Sequence, residues 1–130
     1  MSKLKAKISN FYNALQRLKE AVSELEKSNG SDVVRDGVIQ RFEFTYELAW
    51  KTTKEYLKDL GITDRNSPKT VIKEAFVQKL ISNEEIWLLM LRDRNMTSYV
   101  YKEEMAREIA DRIKKFYVQE FENLYKQIND

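Results

Sequence analysis

Charged and aromatic side chains are concentrated in the stretch from Arg41 to Lys51, RFEFTYELAWK, and such residue types can hold a polar ligand. Glu43 and Glu47 lie one helical turn apart, a spacing at which like charges repel each other mildly. A cation between the two carboxylates, from Arg41, Lys51 or Arg94, would turn this repulsion into a polar network. The alternative is an ordinary solvated helix face, in which such charges contribute little to stability.

A second polar cluster, from Arg92 to Asn95, directly follows the apolar run from Ile86 to Leu91. Cations are favoured at the C-terminus of a helix by the helix dipole, so a plain helix end is one interpretation. In the functional interpretation, the guanidinium of Arg94 binds a phosphate group through two parallel hydrogen bonds. Amide and phenol groups that could bind a ribose or a base then come from Asn95, Tyr99 and Tyr101.

The residue types that the chain lacks restrict its chemistry. Its 130 residues include no cysteine and no histidine, which excludes disulfides, thiolate metal sites and imidazole general bases. A Mg²⁺ site on the paired carboxylates Glu43 and Glu47 is a weak alternative, because no Asp-x-Asp or Gly-Ser signature accompanies them. We expect neither a metal nor an organic cofactor. The 23 basic and 21 acidic residues leave a formal net charge of +2, which does not indicate nucleic acid as a partner. Basic residues near the C-terminus, Arg112 among them, alternate with acids and predict a solvated face.

Helical periodicity accounts for most of the chain. It predicts helices over residues 3–28 and 32–60, a short helix opened by Ser67-Pro68, a helix opened by a capping box that starts at Ser82, and a last helix from about Lys102. Gly37 inside the second helix predicts a close approach by a neighbouring helix, since glycine weakens a helix by about 1 kcal/mol. The last helix is expected to bury Ala106, Ile109, Ile113, Phe116, Tyr117, Phe121, Leu124 and Ile128.

Short loops between long helices favour antiparallel neighbours. The predicted fold is therefore an all-α, antiparallel up-and-down four-helix bundle with one extra short helix. The length suits one core, so we expect residues 1–130 to form a single domain. The N-terminus has no apolar signal segment, and the run 86–91 is too short to cross a bilayer. A cytoplasmic protein without a membrane partner is the simplest interpretation.

Three blocks of the sequence resemble a known family: residues 35–51 (RDGVIQRFEFTYELAWK), Ser67-Pro68, and residues 93–101 (DRNMTSYVY). They look like the nucleotidyltransferase substrate-binding protein family, a branch of the HEPN-type helical bundles, and the similarity extends over nearly the whole chain. The resemblance implies an up-and-down four-helix bundle, usually a homodimer. It also implies a separate minimal nucleotidyltransferase as a partner, with the two chains together resembling one split enzyme.

Toxin members of the wider HEPN group have a metal-independent ribonuclease site, commonly written Arg-x4-His-x-Tyr. Arg94 matches the arginine of this motif and Tyr101 matches its tyrosine, whereas Tyr99 stands at the histidine position. A phenol with a pKa near ~10 cannot replace an imidazole as a base at neutral pH without a large shift. In toxin pairs the partner can adenylylate the tyrosine that matches Tyr101, which makes Tyr101 a candidate modification site.

We therefore predict a non-catalytic substrate-binding or regulatory subunit that pairs with a small nucleotidyltransferase, as a split enzyme or a toxin–antitoxin-like complex. Two alternatives stay open: a HEPN-type ribonuclease toxin neutralised by that partner, and a structural dimer joined through residues 86–91. A homodimer is expected in each case, because small bundles seldom leave wide apolar surfaces exposed. The residues expected to bind a nucleotide or small molecule are Arg94, Asn95, Tyr99, Tyr101, Arg41, Glu47 and Lys51.

Overall fold

The structure, a computed structural model, describes residues 2–97 and 102–129. Six α-helices and one π-helical turn follow one another in these ranges: α1 (Lys3–Lys27), α2 (Asp32–Asp59), α3 (Pro68–Val77), α4 (Glu84–Met96), α5 (Glu103–Arg112), the π turn (Ile113–Tyr117) and α6 (Val118–Ile128). The last three elements join without a break and are called the C-terminal rod below. Together with α1, α2 and α4 this rod makes a four-helix bundle, with α3 as the extra short helix. The predicted all-α bundle is confirmed.

Helix α1 buries one narrow face inside its own chain. Its apolar seam packs in the core, and α1 contacts α2 and α6. Each fully buried Leu or Phe side chain contributes about 1.5–3 kcal/mol to stability. This seam joins helices of one chain, and it consists of Leu4, Ile8, Phe11, Leu15, Leu18, Val22 and Leu25.

Helix α2 is the central member of the bundle and contacts all five other α-helices. Aromatic rings join it to its neighbours: Phe42 stacks on Tyr117 with 5.4 Å between ring centroids, and Tyr46 lies 6.4 Å from Trp87. Trp87 in turn meets Phe121 edge to face at 5.6 Å. Such ring pairs add about 0.5–1.5 kcal/mol each beyond the area that they bury. These contacts fix α4 and the C-terminal rod against the middle of α2.

Polar residues begin the helices, largely where the sequence predicts. The Ser31 hydroxyl accepts from the backbone N–H of Val34 at 3.4 Å, and Ser67 forms a capping box with Thr70. The capping box predicted from Ser82 is wrong, because α4 is capped by the next residue. The side chain of Asn83 accepts from the N–H of Ile86 at 3.1 Å.

Two predictions about buried surfaces are wrong. No described atom lies within 4 Å of a Cβ placed on Gly37, so no described part of a neighbouring helix approaches closely there. Phe116, expected on the buried face of the last helix, is 46% exposed. It lies in the π turn, where the wider coil keeps Tyr117 on the buried side and leaves Phe116 at the surface.

The apolar run of α4 is only partly buried. Trp87 and Met90 are enclosed, whereas Ile86, Leu88, Leu89 and Leu91 are half-buried. This leaves the choice between a central helix and a subunit interface open, so the predicted dimer stays a prediction. No helix in the described ranges is long and apolar enough to cross a membrane.

Candidate binding site

Arg94, in the last turn of α4, lies against two carboxylates of α2. Its Nη1 is 3.7 Å from Oε2 of Glu43, and its Nε is 3.4 Å from Oε1 of Glu47. The two glutamates project from the same side of α2 because four residues separate them. Arg94 therefore lies between the two carboxylates. It is one of the three cations that the sequence offers for this position.

Glu47 connects Arg94 to the next turn of α2. Its Oε2 accepts a hydrogen bond from the indole N–H of Trp50 at 3.3 Å and lies 3.6 Å from Nζ of Lys51. The same Nζ lies 5.9 Å from the centre of the Trp50 ring, within reach of a cation–π contact. We call Glu43, Glu47, Trp50, Lys51 and Arg94 the Arg94 cluster.

The charges of the Arg94 cluster balance, with two carboxylates and two cations. Its charged side chains are between about a quarter and a half exposed, so water and salt weaken their attraction. A phosphate that binds Arg94 must therefore compete with Glu43 and Glu47 for the guanidinium. The cluster can hold an anionic group by exchange of ion pairs.

Tyr46 lies beneath this cluster and is fully buried. Burial, and next the negative charge of Glu47, raise the pKa of its phenol above the ordinary value, while Arg94 lowers it. The phenol is therefore protonated at neutral pH. Its hydroxyl has no hydrogen-bond partner in the described part of the chain.

Asp93 adjoins Arg94 in sequence but points into the bundle and is only 2% exposed. Arg112 donates to both of its oxygens, from Nε to Oδ2 at 2.8 Å and from Nη2 to Oδ1 at 3.0 Å. The hydroxyl of Tyr117 donates to Oδ2 at 2.5 Å. We call these three residues the Asp93 network.

The Asp93 network alters the proton affinity of both of its donors. The hydrogen bond to Asp93 raises the pKa of the Arg112 guanidinium. Burial, followed by the bond to Asp93, raises the pKa of the Tyr117 phenol above its ordinary value. Both groups therefore keep their protons at neutral pH and act as donors to Asp93.

Comparison with protein families places the chain among known proteins. A family model described as "Nucleotidyltransferase substrate binding protein like" matches residues 6–130. The chain belongs to this family. Nucleotidyltransferase substrate-binding proteins are thus its relatives over almost its whole length.

Individual relatives agree with this family. The chain is 32% identical over 100 residues to "Probable ribonuclease HepT" of Haemophilus influenzae, an alignment that covers 74% of this chain and 68% of that protein. A crystal structure of a Thermus thermophilus protein superposes with a TM-score of 0.83 at 34% identity, covering 92% of this chain and 99% of the other. The H. influenzae protein HI0074, at 26% identity, gives the same TM-score and covers 95% and 99%. Its structure is described as revealing the fold of a substrate binding domain of a nucleotidyltransferase.

The fold brings only some of the predicted site residues together. Arg94, Glu47 and Lys51 lie in one cluster. Arg41 does not join it, because its Nη1 donates to the backbone carbonyl of Arg17 on α1 at 2.7 Å. Asn95 is exposed in the last turn of α4. The predicted residues Tyr99 and Tyr101 lie outside the described residues.

Sequence reasoning missed the Asp93 network of this family member. It assigned Arg112 to a solvated face of mixed charge, and that assignment is wrong. One signal was present: Asp93 continues, at a spacing of three, the buried positions Trp87 and Met90. A carboxylate at the next position of a buried stripe needs a buried donor. The position of the donors on the C-terminal rod depends on the π turn, which the apolar periodicity does not reveal.

Proposed function

We propose that this protein is a non-catalytic substrate-binding or regulatory subunit that pairs with a separate small nucleotidyltransferase. The observation that carries the proposal is membership, over residues 6–130, of a family described by nucleotidyltransferase substrate binding. The description of HI0074 as a substrate binding domain of a nucleotidyltransferase supports it. The proposal includes a single cytoplasmic domain over residues 1–130 that acts as a homodimer.

The chemistry of the Arg94 cluster supports a role in holding rather than in cleaving. A guanidinium stays protonated at neutral pH, so Arg94 can bind an anionic group but cannot act as a general base. The sequence contains no histidine to move protons in its place. Glu43 and Glu47 compete with an incoming anion and make its binding reversible. The substrate is a nucleotide or another small molecule that presents an anionic group to Arg94.

A binding experiment tests the pairing. The product of the adjacent gene, which the family resemblance predicts to be a small nucleotidyltransferase, should co-purify with this protein and bind it at micromolar or lower concentration. Arg94→Ala should weaken the binding of the nucleotide or other substrate by the complex. Arg107→Ala is the matched control, because Arg107 is an exposed arginine whose ion pair is with Glu103 on the same helix. Absence of any complex at micromolar concentration would contradict the proposal.

A ribonuclease toxin is the second candidate, and one specific observation favours it. The relative at 32% identity carries the name "Probable ribonuclease HepT". Arg94 would then contact RNA, with Asn95 and a tyrosine as further polar groups. We expect RNA to stay intact on prolonged incubation with the purified protein. Cleavage that Arg94→Ala abolishes would instead establish the ribonuclease.

Modification of Tyr101 belongs to the same proposal. Incubation with the nucleotidyltransferase and ATP should reveal whether the protein gains the mass of an adenylyl group. Tyr101→Phe removes the acceptor hydroxyl, while Tyr99→Phe is the control at the neighbouring phenol. A mass gain that Tyr101→Phe abolishes and Tyr99→Phe preserves would identify Tyr101 as the acceptor. No gain, or one that survives Tyr101→Phe, would contradict modification at this residue.

A further inference from the structure

We propose that Asp93, Arg112 and Tyr117 are positioning residues, brought together by the π turn, which fix the last turn of α4 and thereby hold Arg94 over Glu43 and Glu47. This inference rests on the proposed function only in taking the Arg94 cluster as the working site. The structural link between the two sets of residues is tested independently below.

Asp93 is a buried carboxylate that needs compensation. An isolated carboxylate is unstable away from water unless cations and hydrogen bonds compensate it. Arg112 supplies a bidentate pair and Tyr117 a third hydrogen bond. A second arginine, the exposed Arg92, also contributes, since its Nη2 lies 3.5 Å from Oδ1 of Asp93. Since Arg112 and Tyr117 both belong to the C-terminal rod, the network ties the end of α4 to that rod.

The π turn places both donors of the Asp93 network on one side of the C-terminal rod. Residues five apart on an α-helix point about 140° away from each other, given ~3.6 residues per turn. Arg112 and Tyr117 are five apart and yet reach the same carboxylate. In the π turn the backbone N–H of Val118, the residue after Tyr117, donates to the carbonyl of Ile113, which is an i→i+5 bond. This wider turn brings both side chains to one side of the rod.

The Asp93 network adjoins Arg94 in sequence and in space. Asp93 and Arg94 are consecutive in the last turn of α4, which ends at Met96. Asp93 is held inward, so Arg94 is directed towards α2. The ring of Tyr117 also stacks on Phe42, the neighbour of Glu43 in α2. The network thus fixes both sides of the Arg94–Glu43 ion pair.

The proton on Nε of Arg94 provides a direct readout, because this nitrogen is buried beside Glu47. Its exchange with solvent can be measured by NMR on the isolated protein, without partner or substrate. Tyr117→Phe removes only the hydroxyl that donates to Asp93, and Arg112→Lys keeps the charge but loses the bidentate geometry. Each should speed this exchange about ten-fold, because the last turn of α4 opens more often.

A control variant separates positioning from a general loss of stability. Ile128 is buried at the far end of α6, so Ile128→Val weakens the core at a distance from Arg94. It should leave the Arg94 exchange unchanged. The inference is overturned if neither Tyr117→Phe nor Arg112→Lys speeds the exchange, or if Ile128→Val speeds it equally. A failure of the protein to bind a nucleotidyltransferase would leave this measurement unaffected.

Discussion

The phenol of Tyr117, on the C-terminal rod, and the carboxylate of Asp93, on α4, meet in the interior of the bundle at 2.5 Å. Tyr46 lies in the same core, but its hydroxyl has no partner among the described residues. The two buried phenols therefore differ in a property that mutation can test, namely a hydrogen bond to a charged group.

Removal of each hydroxyl should have opposite consequences. Tyr117→Phe should lower the free energy of unfolding by about 1–3 kcal/mol, since it takes a donor from a buried carboxylate. Tyr46→Phe should leave stability unchanged or raise it, because the hydroxyl that it removes is desolvated without compensation. Urea denaturation measures both. Equal losses for the two variants would show that the Asp93 bond is not the source of the difference.

Neutralising Asp93 should destabilise the protein more strongly. Asp93→Asn leaves the Arg112 guanidinium without its charged partner, and breaking such a buried pair costs about 3 kcal/mol or more. Asp59→Asn, at an exposed position near the end of α2, is the matched control and should change stability by less than about 0.5 kcal/mol. Thermal or urea unfolding of both variants measures the two changes in the free energy of unfolding. A similar small effect at both positions would contradict a central role for the network.

Gly37 offers a stabilising substitution. Glycine inside a helix costs about 1 kcal/mol relative to alanine, and no described atom obstructs a Cβ at this position. Gly37→Ala should therefore raise the free energy of unfolding by about that amount. Gly61→Ala is the contrasting control, because Gly61 has a φ of +89° and a side chain there is strained. A destabilised Gly37→Ala variant would show that the position does not tolerate a methyl group.

Glu120 should make stability depend on pH. Burial raises the pKa of its carboxyl above the ordinary value, although the hydrogen bond from Trp87 opposes this. The folded state therefore binds the proton more tightly than the unfolded state. Its contribution to stability is full below the unfolded pKa of about 4.5 and is lost as the pH rises through the higher folded pKa.

Glu120→Gln removes this titration while keeping an acceptor for Trp87. The variant should gain stability relative to the wild type as the pH rises from about 4 to about 7. Glu20→Gln, at an exposed position on α1, should show no such gain. Urea midpoints at the two pH values measure the effect. A difference between Glu120→Gln and the wild type that is constant or falls with pH would contradict the assignment.

Local patterns predict the helices and part of the site. The 3.6-residue period and the caps at Ser31 and Ser67 depend on neighbours along the chain, so the sequence contains the necessary information. A cation between Glu43 and Glu47 was also foreseeable, because two carboxylates on one helix face favour one, but the sequence left the choice among Arg41, Lys51 and Arg94 open.

The parts that sequence did not predict depend on packing between helices. The π turn changes which side chains face the core, so Phe116 is exposed and Arg112 reaches Asp93. A sequence analysis that assumes a constant helical period does not predict such a change. The cap of α4 was assigned one residue too early, since Ser82 and Asn83 are both good N-caps and local sequence does not discriminate between them.

We propose that this chain holds and positions a substrate while another chain performs the reaction. The most direct test incubates labelled nucleoside triphosphate or RNA with the purified protein, with the proposed nucleotidyltransferase partner, and with both together. We predict that the protein alone leaves RNA intact and transfers no nucleotidyl group. Transfer should require the nucleotidyltransferase and should weaken when Arg94→Ala replaces the wild-type subunit. Turnover by the purified protein alone, lost on Arg94→Ala substitution, would contradict the claim.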